Sequence, residues 1–299
     1  MGRRPICPIP GLDPGYDPFL LRLAEEEDRI AALPGAVRIR LGLERDEGAV
    51  EIADTWLPPD PGPGDRRLVR RLVKTLLWLY GGHTLLVASD DPGFGAARAL
   101  AGELAAEYAV GGARAFDAGM MHRAYDRPLA FRAVSWANAP ERAARSRPLG
   151  RHLDGCRIGL DLGGSDRKVS AVIDGRSVFS EEVVWHPKTM SDPSWHHREI
   201  LSALRSAAAR LPRVDAIGVS AAGIHVHNEV RVASLFMKVP DDRFQAEVRP
   251  MFRSIAEEMG GVPLELANDG DVTALAGAMS LSVQALLGIA MGTSQAAGF

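Results

Sequence analysis

The chain has 299 residues, of which 46% are hydrophobic and 24% charged, and its 35 basic and 38 acidic side chains leave a formal charge of −3. That length suits two domains of ordinary size, and the composition excludes a disordered or fibrous protein. Basic and acidic residues balance 20 to 20 before Arg151 and 15 to 18 from Arg151 onward, so neither half has the cationic excess that binds nucleic acid.

The longest apolar runs, such as 285–291, fall short of the ~20 residues of a membrane span, and the Pro-rich first ten residues lack the apolar core of a signal peptide. The expected location is the cytoplasm. Cys7 and Cys156 stand too far apart to predict a disulfide framework or a thiolate zinc cluster, so Cys156 is expected in the core and Cys7 as incidental.

In chain order, the first ten residues read as a loose tail. Residues 36–43 alternate apolar and basic side chains, and 49–57 follow the turn signal Arg45-Asp46-Glu47-Gly48, which together predict a hairpin. Pro58 to Gly64, PPDPGPG, predicts a linker that is neither helix nor central strand. Leu68, Val69, Leu72, Val73, Leu76, Leu77 and Tyr80 recur at helical spacing and stop at Gly81-Gly82. A short strand over 84–88, a loop over 89–95 and an alanine-rich helix over 96–109 complete an α/β layer. The Gly93-x-Gly95 loop could cradle an anion, but it lacks a third glycine and reads first as a plain turn. Residues 139–150 read as a linker, so 1–150 are expected to form an accessory α/β domain.

The second half predicts a meander of three strands over 157–162, 168–173 and 177–185, joined by turns at Gly163-Gly164-Ser165-Asp166 and Asp174-Gly175. A helix through Leu201, Leu204, Ala208 and Leu211 follows, then a strand over 214–219 and a helix over 242–259 with Asp241 as its cap. A strand over 263–267 and a helix over 271–279 come next. The order is βββαβαβ, and 285–291 adds a strand before the tight turn Gly292-Thr293-Ser294.

Three segments place small or acidic residues at sharp turns directly after strands. In the first, Asp161 to Lys168, the glycine turn can form a concave anion site; Lys168 can add positive charge and Asp161 suits water-mediated Mg²⁺. In the second, Asn268-Asp269-Gly270-Asp271, a carboxylate can accept a hydroxyl proton. The third is Gly292-Thr293-Ser294. Each has a plain structural reading as a hairpin turn, a helix cap or a tight turn. Taken in this order they point to phosphoryl transfer, where positioning and charge neutralisation do most of the catalysis.

The segments IGLDLGGSDRK, LELANDGDVTALAGA and LGIAMGTS resemble the first phosphate motif, the acidic motif and the second phosphate motif of ROK-type sugar kinases. These kinases are relatives of the actin, hexokinase and heat-shock-protein ATPases. The resemblance covers 156–299 and implies a ribonuclease H-like, actin-like ATPase lobe over 151–283, with 284–299 opening an incomplete second lobe. It implies ATP and Mg²⁺ as cofactors and an ATP-dependent phosphotransferase acting on a small hydroxylated substrate, a carbohydrate in that family. The alternative it implies is a non-catalytic nucleotide- or sugar-sensing regulator of the same type.

Position by position, the resemblance places Asp161 at the metal and Gly163, Gly164, Ser165 and Lys168 at the ATP phosphates. It places Gly292, Thr293 and Ser294 at the second phosphate turn, Asp269 as catalytic base, and Asn268 and Gly223 at the substrate. Asp271 is read as a helix-terminal carboxylate that meets the macrodipole. The segment 220–225 lacks the family's Pro-Gly turn, and 232–236 lacks its asparagine. The family's Glu-x-Gly-His motif and its zinc cysteines have no counterpart, so a truncated chain is the expectation, along with a homodimer by analogy. His225-x-His227 could chelate a metal, but His186, His196, His197, His225 and His227 are expected in exposed loops. Trp185 and Trp195 are expected to pack.

Overall fold

Residues 11–16, 18–144, 150, 152–283, 285–291 and 295–299 are described by the computed structural model. The chain divides into two compact units, Met1–Arg145 and Ser146–Phe299.

In the first unit, α1 (Phe19–Ala31) precedes the hairpin of β1 (Val37–Glu44) and β2 (Val50–Leu57). Helix α2 (Pro63–Tyr80), β3 (Thr84–Ser89), α3 (Gly95–Glu107), α4 (Ala115–Tyr125) and β4 (Ala130–Ser135) follow. The sheet order is β2-β1-β3-β4. Only β3 and β4 are parallel, and α3 and α4 supply the crossover that such a pair requires. Alternation in β1 buries Ile39, Leu41 and Leu43 against Val69, Val73 and Leu77 of α2. The opposite face carries Arg38 and Arg40, which both bind Asp54 and both lie over the Trp136 ring.

The expected linker over 58–64 is shorter than predicted: Pro63 and Gly64 already belong to α2. Proline is tolerated at the first helical position, where its missing N–H has no partner to lose. The Gly93-x-Gly95 loop is a plain turn. Asp91 Oδ2 accepts from Ala96 N and Ser89 Oγ from Ala97 N, so side chains of the loop itself fill the first amides of α3. Helices α1 and α4 and strand β4 were not anticipated; α4 lacks a clear apolar stripe, and Phe116 on it is exposed.

In the second unit, β5 (Cys156–Leu162), β6 (Asp166–Ile173) and β7 (Arg176–Val184) form the predicted meander. Asp174 and Gly175 both take left-handed conformations at the second turn. Then come α5 (Pro193–Ala208), β8 (Ala216–Ala221), a hairpin of β9 (Ile224–Val226) and β10 (Glu229–Val232), α6 (Asp241–Arg243), α7 (Met251–Glu258), β11 (Leu264–Asn268) and α8 (Asp269–Leu281). Strands β12 (Gly288–Met291) and β13 (Gln295–Gly298) pair as a second hairpin.

The main sheet has the order β11-β8-β5-β6-β7, with β5, β8 and β11 parallel and β6 antiparallel to its neighbours. This is the ribonuclease H-like arrangement, with the β9–β10 hairpin inserted after β8. Ile158, Leu160, Val169, Ala171, Ile217, Val219 and Leu266 point to one face and form the core with α5 and α7. The helix expected over 242–259 is broken. It passes from α6 into a π-helical turn at Phe244–Val248 before Pro250, which cannot donate within a helix, and α7 restarts beyond it. Asp241 lies in the first turn of α6 without capping it, since the N-cap is Pro240. Helix α8 begins at Asp269, two residues before the predicted start, because Asn268 caps it by accepting from Gly270 N.

Candidate functional site

Every second residue of the central strands faces away from the core, and on this face the side chains are small or polar: Gly159 and Asp161, Ser170 and Lys168, Gly218 and Ser220, Glu265 and Ala267. Helix α8 lies over this face through Val272, Leu275 and Met279. The space between them is a cleft of about 630 Å³ lined by these residues. An apolar roof over a polar floor is the usual build of a small-molecule site.

At one end of the cleft, Asp161 stands opposite Lys168 on β6 and opposite Ser220 on β8. The turn between β5 and β6 closes with a bond from Gly163 N to the Asp166 carbonyl at 2.9 Å. A side chain at Gly163 would drive a Cβ to 2.9 Å from that same oxygen, so the close approach needs glycine. Lys168 Nζ donates to Asp166 Oδ1 at 2.7 Å, and Ser165 Oγ donates to Asp166 Oδ2 at 3.0 Å. The Lys168 bond, then the Ser165 bond, holds the Asp166 carboxyl below the usual carboxylate value. In turn the Asp166 bond raises the Lys168 ammonium, with smaller contributions from the charges of Glu182 and Asp161.

At the end of β11, Ala267 is opposite Ser220 and Asn268 opposite Ala221. Asp269, the next residue, therefore lies two strands from the Gly163 turn, a lateral distance of roughly 10 Å. The two substrate positions implied by the resemblance are joined directly, because Asn268 Nδ2 donates to the Gly223 carbonyl at 2.8 Å. Asp271 feels burial first and the Asp269 charge second, and both raise its carboxyl above the usual value, against the direction a helix N-terminus alone would push. Gly292, Thr293 and Ser294 lie outside the described residues.

Glu265 and Asn228 were not identified from sequence, and His225, read there only as a possible chelator, takes a different role. His225 Nε2 donates to the Ala221 carbonyl at 3.1 Å, which leaves Nδ1 as an acceptor, and that atom is buried without a partner. Burial lowers the His225 pKa, opposed by its bond to Ala221 and by the Asp269 charge. Glu265 lines the cleft. Asn228 clamps the outer strand, donating to Leu264 O and accepting from Leu266 N, both at 2.8 Å. The period-2 run of glycine, serine and alanine between apolar residues is the signal that exposes this face; nothing local marks Asn228.

The histidines expected in loops divide. His196 is fully buried on α5, with its ring nitrogens against the Asp192 and Pro187 carbonyls, and His197 pairs with Glu258 at 2.8 Å. Among the described residues, no group of three or more His, Cys, Asp or Glu is placed to hold a metal ion. A Mg²⁺ bound mainly through nucleotide phosphates and water needs only one or two carboxylates, and the Asp161 environment fits that requirement. No helix among the described residues is long and apolar enough to cross a membrane.

No protein-family model and no curated protein matches the chain. Solved structures similar to it include the ROK hexokinase of Thermus thermophilus, at 22% identity and TM-score 0.32 over 41% of this chain and 37% of that one. A glucokinase of Parabacteroides distasonis follows at 19% and 0.35 over 48% and 43%. The glucose complex of Schistosoma mansoni hexokinase stands at 16% and 0.34 over 48% and 35%. The chain spans less than half the length of each of these structures. The likeness to ROK-type and actin-like ATPases is one of fold.

Proposed function

We propose that the second unit is the phosphate-binding lobe of an ATP-dependent phosphotransferase acting on a small hydroxylated substrate of the carbohydrate class. The observation that carries this reading is that Asp161 and Lys168 line one cleft next to the glycine turn, with Asp269 just past the end of β11, two strands from β5. ATP and Mg²⁺, when bound, supply the transferable phosphoryl group and neutralise its charge. Asp161 would hold the metal through water, and the amides of Gly164 and Ser165 in the glycine turn would orient the phosphates. Lys168 adds charge that Asp166 already partly balances. Asp269 accepts the proton of the attacking hydroxyl, and Asn268 fixes the Gly223 loop beside it. Val272, Leu275 and Met279 of α8 give the cleft an apolar roof.

The balance of Lys168 by Asp166 also favours a second reading, a nucleotide- or sugar-sensing regulator that binds without turnover. Calorimetric titration with MgATP tests both. Saturable binding that weakens at least about tenfold in Asp161→Ala is expected, and no binding by the wild-type chain overturns the phosphotransferase and the nucleotide-sensing readings. ADP release with a panel of hexoses, abolished in Asp269→Asn, separates the enzyme from the sensor.

A further inference from the structure

The Gly163–Ser165 turn is held from behind by one residue. Trp185, just past β7, donates its indole Nε1–H to the Gly163 carbonyl at 2.9 Å. Its backbone N–H donates to the Ser165 carbonyl at 3.0 Å. The side chain is 3% exposed, and its ring stacks on Trp195 with centroids 5.8 Å apart. A fully buried His196 stands edge-on to both rings. The donor is therefore locked in place by packing.

A trans peptide is planar, with its carbonyl and its N–H on opposite sides. With the Gly163 and Ser165 carbonyls drawn toward buried Trp185, the N–H groups of Gly164 and Asp166 turn the other way. Two adjacent glycines offer little resistance to a flip of the peptide between them, and a flipped peptide would set a carbonyl oxygen, a negative dipole end, where a phosphate has to bind. The indole bond opposes that flip.

We propose that Trp185 is the positioning residue of the phosphate turn and that its indole N–H holds the Gly163–Gly164 peptide in the anion-binding orientation. This inference rests on the function proposed above. Trp185 touches no reacting atom; it acts through the peptide it fixes.

The test is MgATP titration of the full chain as wild type, Trp185→Phe and Trp195→Phe. Phenylalanine keeps an aromatic ring in the core and removes the N–H. Trp185→Phe is expected to weaken MgATP binding roughly ten- to hundredfold, the range for losing an oriented hydrogen bond to a charged group. Trp195→Phe disturbs the same stack without touching the turn, and is expected to bind as wild type. Equal affinities in wild type and Trp185→Phe overturn the inference and leave the nucleotide reading intact, whereas a wild-type chain that binds no MgATP overturns both.

If Trp185→Phe does not fold, nuclear magnetic resonance of the wild type carries the test. The Gly164 amide and Trp185 indole signals are expected to shift together on saturation with MgATP, and the indole proton to exchange more slowly. A Gly164 amide that stays in place at saturation overturns the inference.

Discussion

His225 shows how one side chain can be set by its surroundings. Its Nε2–H is committed to the Ala221 carbonyl, and its Nδ1 is buried without a partner. Burial disfavours the imidazolium, and the folded pKa lies below the usual 6.5. The unfolded chain therefore takes up the proton first as pH falls, and the stability tied to this residue is full above pH 6.5 and lost between that value and the lower folded value. Titration of the His225 ring by nuclear magnetic resonance should give a midpoint below 6.5, with the Nε2–H tautomer present above it; a midpoint at or above 6.5 would contradict the burial argument. The pair Asp166 and Lys168 behaves differently. Both are accessible to water and each stabilises the other's charge, so their bond orients Lys168 more than it stabilises the fold.

At the scale of elements, the hairpin of β12 and β13 docks on α8 by backbone contact. A Cβ at Gly288 would lie 2.4 Å from Ala274 N, one at Gly298 2.4 Å from the Gly270 carbonyl, and one at Gly270 2.7 Å from Ala297 N. No side chain fits between these backbones. Gly288→Ala is expected to cost about 1–3 kcal/mol of local stability by overpacking. In hydrogen exchange, the β12 and β13 amides should lose protection while those of β5 and β8 keep theirs; unchanged protection in the hairpin would refute the contact. The insertion between β8 and α6 is tied down by other means, since Asn228 at its tip takes a left-handed conformation and supplies the bonds of a missing strand to the edge of β11.

Among the described residues the hydrophobic cores fall into two that share no residue, one around β1, β3, α2 and α3 and the other around β5, β6, β8, α5 and α7. All the cleft residues come from the second unit. Residues 150–299 produced alone should therefore unfold cooperatively and keep the MgATP affinity of the full chain. Loss of cooperative unfolding in that fragment, measured by calorimetry, would show that its core depends on the first unit.

Without marking the β9–β10 hairpin or the break in the helix before β11, the sequence by itself determined the meander of β5 to β7 with its two turns and the succession of α5, β8, β11 and α8. These are local matters: alternation, helical spacing and glycine or asparagine at turns act over a few residues. It also marked the capping role of Asn268 beside Asp269. Only the tertiary structure decided that Asp161, Lys168, Ser220 and Glu265 share one face beneath α8, because that follows from strand order and register across the sheet. Only there, too, did the break at Pro250, the burial of His196 and the two bonds of Trp185 to the glycine turn become visible. Each depends on groups brought together by folding, and no spacing along the chain records them.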